Sequence, residues 1–275
     1  MNPEKKINDK LDRVKKSLSG MENIAVAYSG GVDSTLLLKI AYDIRGDKVI
    51  GIYADSPLQP DRERIHALEV ARSIGAKVYV INSNHLLREE TFRMNPRNRC
   101  YFCKGFIFNG IISKAKELGY TSILDGSNFD DTSDFRPGRK ALIERNIHSP
   151  LQEAGLTKEE IRSISKRYGL PTWEKEAYAC LASRIPYGME ITLEKLKQVD
   201  EVEQILIRRG YHNVRARHYG ERIRVEVKEN QVMQLREEIE KQELTTAILS
   251  KGFKTIGIDP DGYRQGSLND RKTII

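Results

Sequence analysis

Six residues of this sequence, Ser29-Gly30-Gly31-Val32-Asp33-Ser34, stand between a short apolar run and a stretch with helical spacing. A glycine-rich turn that opens directly onto a helix presents unpaired backbone N–H groups and the positive end of the helix dipole, which together seat an anion. The paired glycines let the backbone approach a phosphate closely, and the Ser29 and Ser34 hydroxyls can add donors. The loop lacks the Gly-Lys-Ser/Thr ending of a Walker A sequence and the third glycine of the dinucleotide fingerprint. A second group is sulfur. Cys100, Cys103 and Cys180 are the only cysteines, too few and odd in number for a disulfide framework. The Cys100-x-x-Cys103 spacing puts two thiols within reach of one metal, and folding could bring Cys180 to them; the alternative is a pair of inert buried thiols. Three thiolates do not close a tetrahedral zinc site unless His85, His148, His212 or His218 joins them. They suit a 4Fe-4S cluster whose fourth iron stays open to an exogenous ligand. A third group is Arg215 and Arg217, which alternate on one strand face and could clamp a phosphate or carboxylate as bidentate donors.

These groups need a scaffold, and the hydrophobic spacing supplies it. Ile7, Leu11, Val14 and Leu18 form one face of a helix over 5–18. Apolar runs at 23–28, 48–53, 77–81 and 122–124 read as strands, with helices after 32, over 62–74 and over 106–118. Strands alternating with helices imply parallel pairing and helices on both faces. This half is expected to be an α/β domain built on a doubly wound parallel sheet. After Trp173, read as packing between domains, the pattern changes. A helix over 193–207, strands at 213–218 and 222–228 around a turn at Gly220, a helix over 231–240 and a strand over 255–258 predict a second, smaller α+β domain. The expected division is 1–175 and 176–275, with a turn-rich end from Asp259 onward.

Composition agrees with a folded chain. At about 150 residues per domain, 275 residues suggest about two domains. With 39% hydrophobic and 31% charged residues, the chain can bury a sizeable core and stay soluble. No run approaches the length of a membrane span, and the charged N-terminus has no apolar core of a secretory signal, so a cytoplasmic protein is expected. The 46 Lys+Arg against 39 Asp+Glu leave +7. The basic residues are interleaved with acids, so the charge is only weak support for anionic substrates.

The Ser29–Ser34 loop resembles the pyrophosphate loop of the ATP pyrophosphatases, which share an adenine nucleotide alpha hydrolase-like fold and cleave ATP between its α and β phosphates. The stretch from Glu176 to Gly188, EAYACLASRIPYG, resembles the C-L-A-S-R-x-P-Y-G segment of the LarE family. That family comprises ATP-dependent sulfur transferases that build the nickel-pincer nucleotide cofactor of lactate racemase. Asp125-Gly-Ser-Asn128-Phe-Asp130-Asp131 and Asp134-Phe-Arg136-Pro137-Gly138 match as well. The resemblance covers nearly the whole chain. It implies that residues 1–175 bind ATP and that 176–275 bind substrate and transfer sulfur. A carboxylate of pyridinium-3,5-biscarboxylic acid mononucleotide would be adenylated, pyrophosphate would leave with help from Mg2+, and sulfur would displace AMP to give a thiocarboxylate. Ser29, Gly30, Gly31, Asp33, Ser34 and Asn128 would hold the nucleotide and its metal. Arg215 and Arg217 would bind substrate phosphate, Glu203 and Glu226 would contribute a metal site, and Ser183 and Arg184 would position the activated carboxyl beside Cys180. One form of the family sacrifices the sulfur of a single cysteine, here Cys180. The other holds a 4Fe-4S cluster on three cysteines, and Cys100, Cys103 and Cys180 assign this chain to it. A sulfide donor and a homo-oligomer are implied too.

The nearest rival is a pyrophosphate-loop tRNA thiolase with a 4Fe-4S cluster. It accounts for the charge, but the sequence has no added RNA-binding domain, zinc ribbon or dense basic strip, so no nucleic-acid partner is expected. An ammonia-fed amide synthetase would leave the three thiols without a task. A nucleotide-sensing or iron-sulfur-binding module would release no pyrophosphate with any acid.

Overall fold

The structure, a computed structural model, describes residues 3–132, 137–176 and 178–264. Asp134, Arg136, Ala177 and the end of the turn-rich tail (265–275) lie outside the described residues. The chain divides into two compact units, Met1–Leu86 with Asn98–Tyr178, and Leu87–Arg97 with Ala179–Ile275.

The first unit runs α1 (Pro3–Ser19), β1 (Ile24–Ala27), α2 (Val32–Arg45), β2 (Val49–Asp55), α3 (Asp61–Ile74) and β3 (Lys77–Asn82). After a short α4 (Glu90–Arg93) in the second unit, it resumes with α5 (Arg99–Glu117), β4 (Ser122–Leu124), α6 (Pro137–Ile143), α7 (Pro150–Glu153) and α8 (Lys158–Arg167). The four strands pair in the order β3-β2-β1-β4, all parallel, as an adenine nucleotide alpha hydrolase-like α/β sheet requires. Both faces are buried, and the strand period of two explains how. Ile24 and Val26 of β1 pack in one core with Leu11, Val14 and Leu18 of α1, Leu36 and Leu37 of α2, and Ile161 and Ile164 of α8. Ala25, Ile50 and Ile52 point the other way, into a core with Phe108, Ile111 and Ala115 of α5.

Two differences from the sequence reading matter. The helix expected over 106–118 begins at Arg99, about two turns earlier, so Cys100 and Cys103 are helical residues and not part of a polar loop. The start was hidden because Asn98 makes no side-chain cap. Helices α6, α7 and α8 have 7, 4 and 10 residues, shorter than the window over which helical periodicity is legible. The last of them starts on a capping box, with Thr157 accepting from Glu160 N–H and the Glu160 side chain accepting from Thr157 N–H.

The second unit contains α4 and then α9 (Leu193–Arg208), β5 (Arg215–Tyr219), β6 (Arg222–Glu226), α10 (Val232–Glu240), α11 (Glu243–Leu249) and β7 (Thr255–Ile258). Its sheet has the order β5-β6-β7, with β5 antiparallel and β7 parallel to β6. Residues 87–97, read from the sequence as part of the first half, join this unit through buried Asn95. Its amide donates to the carbonyls of Ile185 (3.1 Å), Pro186 (2.8 Å) and Met189 (3.1 Å). Among the described residues no helix is long and apolar enough to cross a membrane.

His218 on β5 shows what burial does here. Its Nδ1 accepts from Gly220 N–H (3.2 Å), which places the proton on Nε2, 2.9 Å from Gln198 Oε1. Burial first, then the Lys195 ammonium, push its pKa down to about 4. The folded-state pKa lies below the unfolded value, so this contribution is intact above about pH 6.5 and fades as the pH falls toward 4. Between pH 7 and pH 5 the loss is about 2 kcal/mol. Urea unfolding of His218→Gln beside the parent at both pH values should show a shallower decline in the variant; parallel declines would refute the assignment.

Candidate active site

The loop after β1 leaves the sheet where the strand order reverses, because β2 and β3 lie on one side of β1 and β4 on the other. Crevices at the carboxyl ends of strands form at such a switch point. A cavity of about 340 Å³ opens there, within the size of small-ligand sites. Ser29, Gly31, Asp33 and Ser34 line it from the loop, Asp125, Gly126, Ser127 and Asp131 from the segment after β4, and Tyr53 and Gln59 from beyond the middle of β2. Ile107, Phe108 and Ile111 of α5 make an apolar wall. Polar groups thus line one part of the cavity and apolar side chains another.

The loop is tightly determined. Ser29 Oγ and Ser34 Oγ are 3.0 Å apart, Ser34 Oγ accepts from Ser29 N–H (3.2 Å), and Gly31 caps α2. Gly30 has φ 71°, and a Cβ there would lie 2.3 Å from Ala67 Cβ on α3. Glycine is required on both counts. Gly126 is the partner that sequence reasoning missed, although it sits in a quoted motif. A Cβ on it would lie 2.8 Å from Ser34 N, so only glycine lets the segment after β4 close onto the start of α2.

Asp33 carries the electrostatics. Burial pushes its carboxyl above the usual carboxylate range, and the Lys158 ammonium pulls it back. Lys158 Nζ lies 2.5 Å from Asp33 Oδ2, while Asp33 Oδ1 is buried with no hydrogen-bond partner. The Asn128 side chain also favours the ionised form, and Asp131 opposes it. Asn128 shapes the turn: its N–H donates to Asp131 Oδ2 (2.9 Å) and its Oδ1 accepts from Asp130 N–H (3.0 Å). Lys158 has no signal in the sequence, since 125 residues separate it from Asp33.

Cys100 is exposed, Cys103 half-buried and Cys180 half-buried. The first two lie three apart on α5, hence on one helix face, in the first unit; Cys180 lies in the second. Among the described residues no disulfide forms and no group of three or more His, Cys, Asp or Glu is arranged to hold a metal ion.

In the second unit the expected ligands are paired with one another. Arg184 is fully buried. Its Nε and Nη2 donate to the two oxygens of Glu203 (2.7 and 3.0 Å), and its Nη1 donates to Ala179 O (2.6 Å), Cys180 O (3.3 Å) and Ser183 Oγ (2.9 Å). Arg217 repeats the pattern: Nε and Nη2 donate to Glu226 (3.0 and 2.8 Å), and Nη1 to Ser183 O (2.7 Å). Two guanidinium forks therefore grip the turn that carries Cys180. Glu203 and Glu226, expected at a metal, each meet a guanidinium with both oxygens. Arg217, expected on substrate phosphate, pairs with Glu226. Arg184, expected to position the activated carboxyl, holds the Cys180 turn. The reason is common to all: a buried charge needs an opposite charge and hydrogen bonds at hand. Arg215 is buried beside them, with Nη1 on Val214 O (2.8 Å) and its guanidinium 4.7 Å from the Tyr263 ring centre.

No family model matches the chain. It is 32% identical over 261 residues to the pyridinium-3,5-bisthiocarboxylic acid mononucleotide synthase of Lactiplantibacillus plantarum, covering 94% of this chain and 92% of that protein. It is 39% identical over 263 residues to an uncharacterized protein of Synechocystis sp., covering 96% and 98%. A tRNA-specific 2-thiouridylase, MnmA of Desulforamulus reducens, is 27% identical over 199 residues, covering 56% and 53%. A parallel sheet with an anion loop at its switch point, set beside these relatives, defines an ATP-using enzyme of the pyrophosphate-loop class. Within that class, the chain belongs to the LarE family of sulfur transferases.

Proposed function

We propose that this enzyme activates a carboxylate of pyridinium-3,5-biscarboxylic acid mononucleotide with ATP and replaces one of its oxygens by sulfur. The carboxylate oxygen bonds to the α-phosphorus as pyrophosphate leaves, and sulfide then attacks the acyl carbon and expels AMP with the original oxygen. The observation that carries this reading is the Ser29–Ser34 loop at the switch point, facing a cavity with an apolar wall, in a chain 32% identical to a synthase of the corresponding bisthiocarboxylic acid. Backbone N–H groups of the loop and the hydroxyls of Ser29 and Ser34 bind the departing pyrophosphate, where negative charge develops. The orphaned Asp33 Oδ1 and the neighbouring Asp131 suit a hard cation, so Mg2+ fits here and would neutralise phosphate oxygens. The first unit serves as the ATP domain and the second as the substrate and sulfur-transfer domain, where Ser183 lies on the turn of Cys180 and Arg215 meets the substrate phosphate.

The reading includes a 4Fe-4S cluster on Cys100, Cys103 and Cys180, supported by the soft donor set and by two of the thiols sharing one helix face. Such a cluster would hold a replaceable sulfide on its open iron. It also includes a cytoplasmic homo-oligomer served by a sulfide donor. The test is an anaerobic assay with ATP, Mg2+, sulfide and the pyridinium dicarboxylate, read by mass spectrometry on both substrate and protein. Oxygen-for-sulfur exchange in the substrate, with unchanged protein mass and iron lost in Cys100→Ser and Cys103→Ser, is the expected result. Conversion of Cys180 to dehydroalanine overturns the cluster. Binding to tRNA with a steep salt dependence, with no reaction of the dicarboxylate, would favour the thiolase reading that the MnmA likeness raises.

A further inference from the structure

We infer that Lys175 is a positioning residue for the pyrophosphate loop, fixing the Gly30 peptide so that the N–H groups beyond it are set for the anion. Lys175 lies outside every motif, 145 residues from Gly30. Its Nζ donates to Gly30 O (3.1 Å), lies 2.9 Å from Glu63 Oε2 and 3.3 Å from His66 Nδ1. An ammonium has three donors and no acceptor, so these partners use all of them. His66 Nδ1 is therefore an acceptor, with the ring proton on Nε2.

The anchors share one face of α3. Glu63 and His66 are three residues apart, and Ala67, which a Gly30 Cβ would strike, follows. The same helix face that presses on Gly30 thus holds the ammonium bonded to its carbonyl. The backbone of Lys175 is held as well, since Arg162 of α8 donates to Trp173 O (2.6 Å) and Lys175 O (2.8 Å). A trans peptide points its C=O and the following N–H in opposite directions. With Gly30 O turned onto Lys175, the Gly31 N–H is turned away from it, and Gly31 lines the cavity. Lys175 acts through that peptide plane, with Glu63 neutralising its charge.

The inference rests on the reading of Ser29–Ser34 as the pyrophosphate loop, and the two fail differently. Calorimetry on the full chain should compare a non-hydrolysable ATP analogue, inorganic pyrophosphate and AMP. If the parent binds the first two no better than AMP, the loop reading fails. If the parent shows that preference, Lys175→Met is expected to weaken the analogue and pyrophosphate about tenfold or more, with AMP nearly unchanged. Equal losses for all three ligands, or no loss, overturn the inference. Glu63→Gln separates geometry from charge. Loosening the anchor should weaken pyrophosphate, whereas a lysine acting by charge alone would bind it more tightly once its acidic neighbour is neutralised. Tighter binding in Glu63→Gln therefore also overturns it.

Discussion

Gly30→Ala is expected to reduce kcat/KM for ATP by about 100-fold or more, the scale set by moving reacting groups about 1 Å out of place. Two costs combine at this position. A φ of 71° strains any residue with a Cβ, by about 1–2 kcal/mol. The new methyl would also lie 2.3 Å from Ala67 Cβ and 2.8 Å from its Cα. Because Cα is backbone and α3 is packed in the core, the loop must yield, and its N–H groups leave the phosphate. Gly155→Ala supplies the comparison: φ is 74° there, but nothing lies within 4 Å of the added Cβ. That variant should lose a little stability and keep its ATP kinetics. Steady-state pyrophosphate release measures both, and wild-type rates in Gly30→Ala would remove the loop from the reaction.

Glu226→Ala is expected to destabilise the second unit by about 3–5 kcal/mol, the cost of leaving buried charge without its partner. Glu226 is fully buried and accepts from Arg217 on both oxygens and from Arg224 on one (3.1 Å). Its loss leaves two guanidiniums facing a gap in a medium that solvates charge poorly. Replacing Arg217 and Glu226 together by Met and Leu should recover part of that loss, since apolar residues of similar volume need no counter-charge. Urea unfolding followed by circular dichroism reads both. A loss below about 1 kcal/mol in Glu226→Ala would show that the pair is solvated. The double variant should still lose activity, because Arg217 would no longer hold Ser183 O.

The site was legible in the sequence wherever the chemistry is local. Ser29 to Ser34 are consecutive, and their glycine and serine content announces a tight turn into a helix. The strands of the first sheet were legible because burial on both faces demands continuous apolar runs. The start of α5 was not, because a helix that begins without a side-chain cap leaves no start signal. The Arg217–Glu226 ion pair was within reach of the sequence: the hairpin was foreseen, and its register pairs Arg217 with Arg224, two residues from Glu226. That proximity allows a diagonal ion pair.

The residue string alone determined the parallel α/β sheet, the glycine-serine loop after its first strand and the three-thiol inventory, because periodicity, glycine and cysteine act through neighbours along the chain. Tertiary structure alone decided what surrounds them: Lys158 on Asp33, Lys175 on Gly30, Gly126 against Ser34, and the guanidinium forks on the Cys180 turn. Those pairings join residues far apart in sequence, and a charge chooses its partner by distance and desolvation in the folded chain, quantities that exist only once the elements have packed.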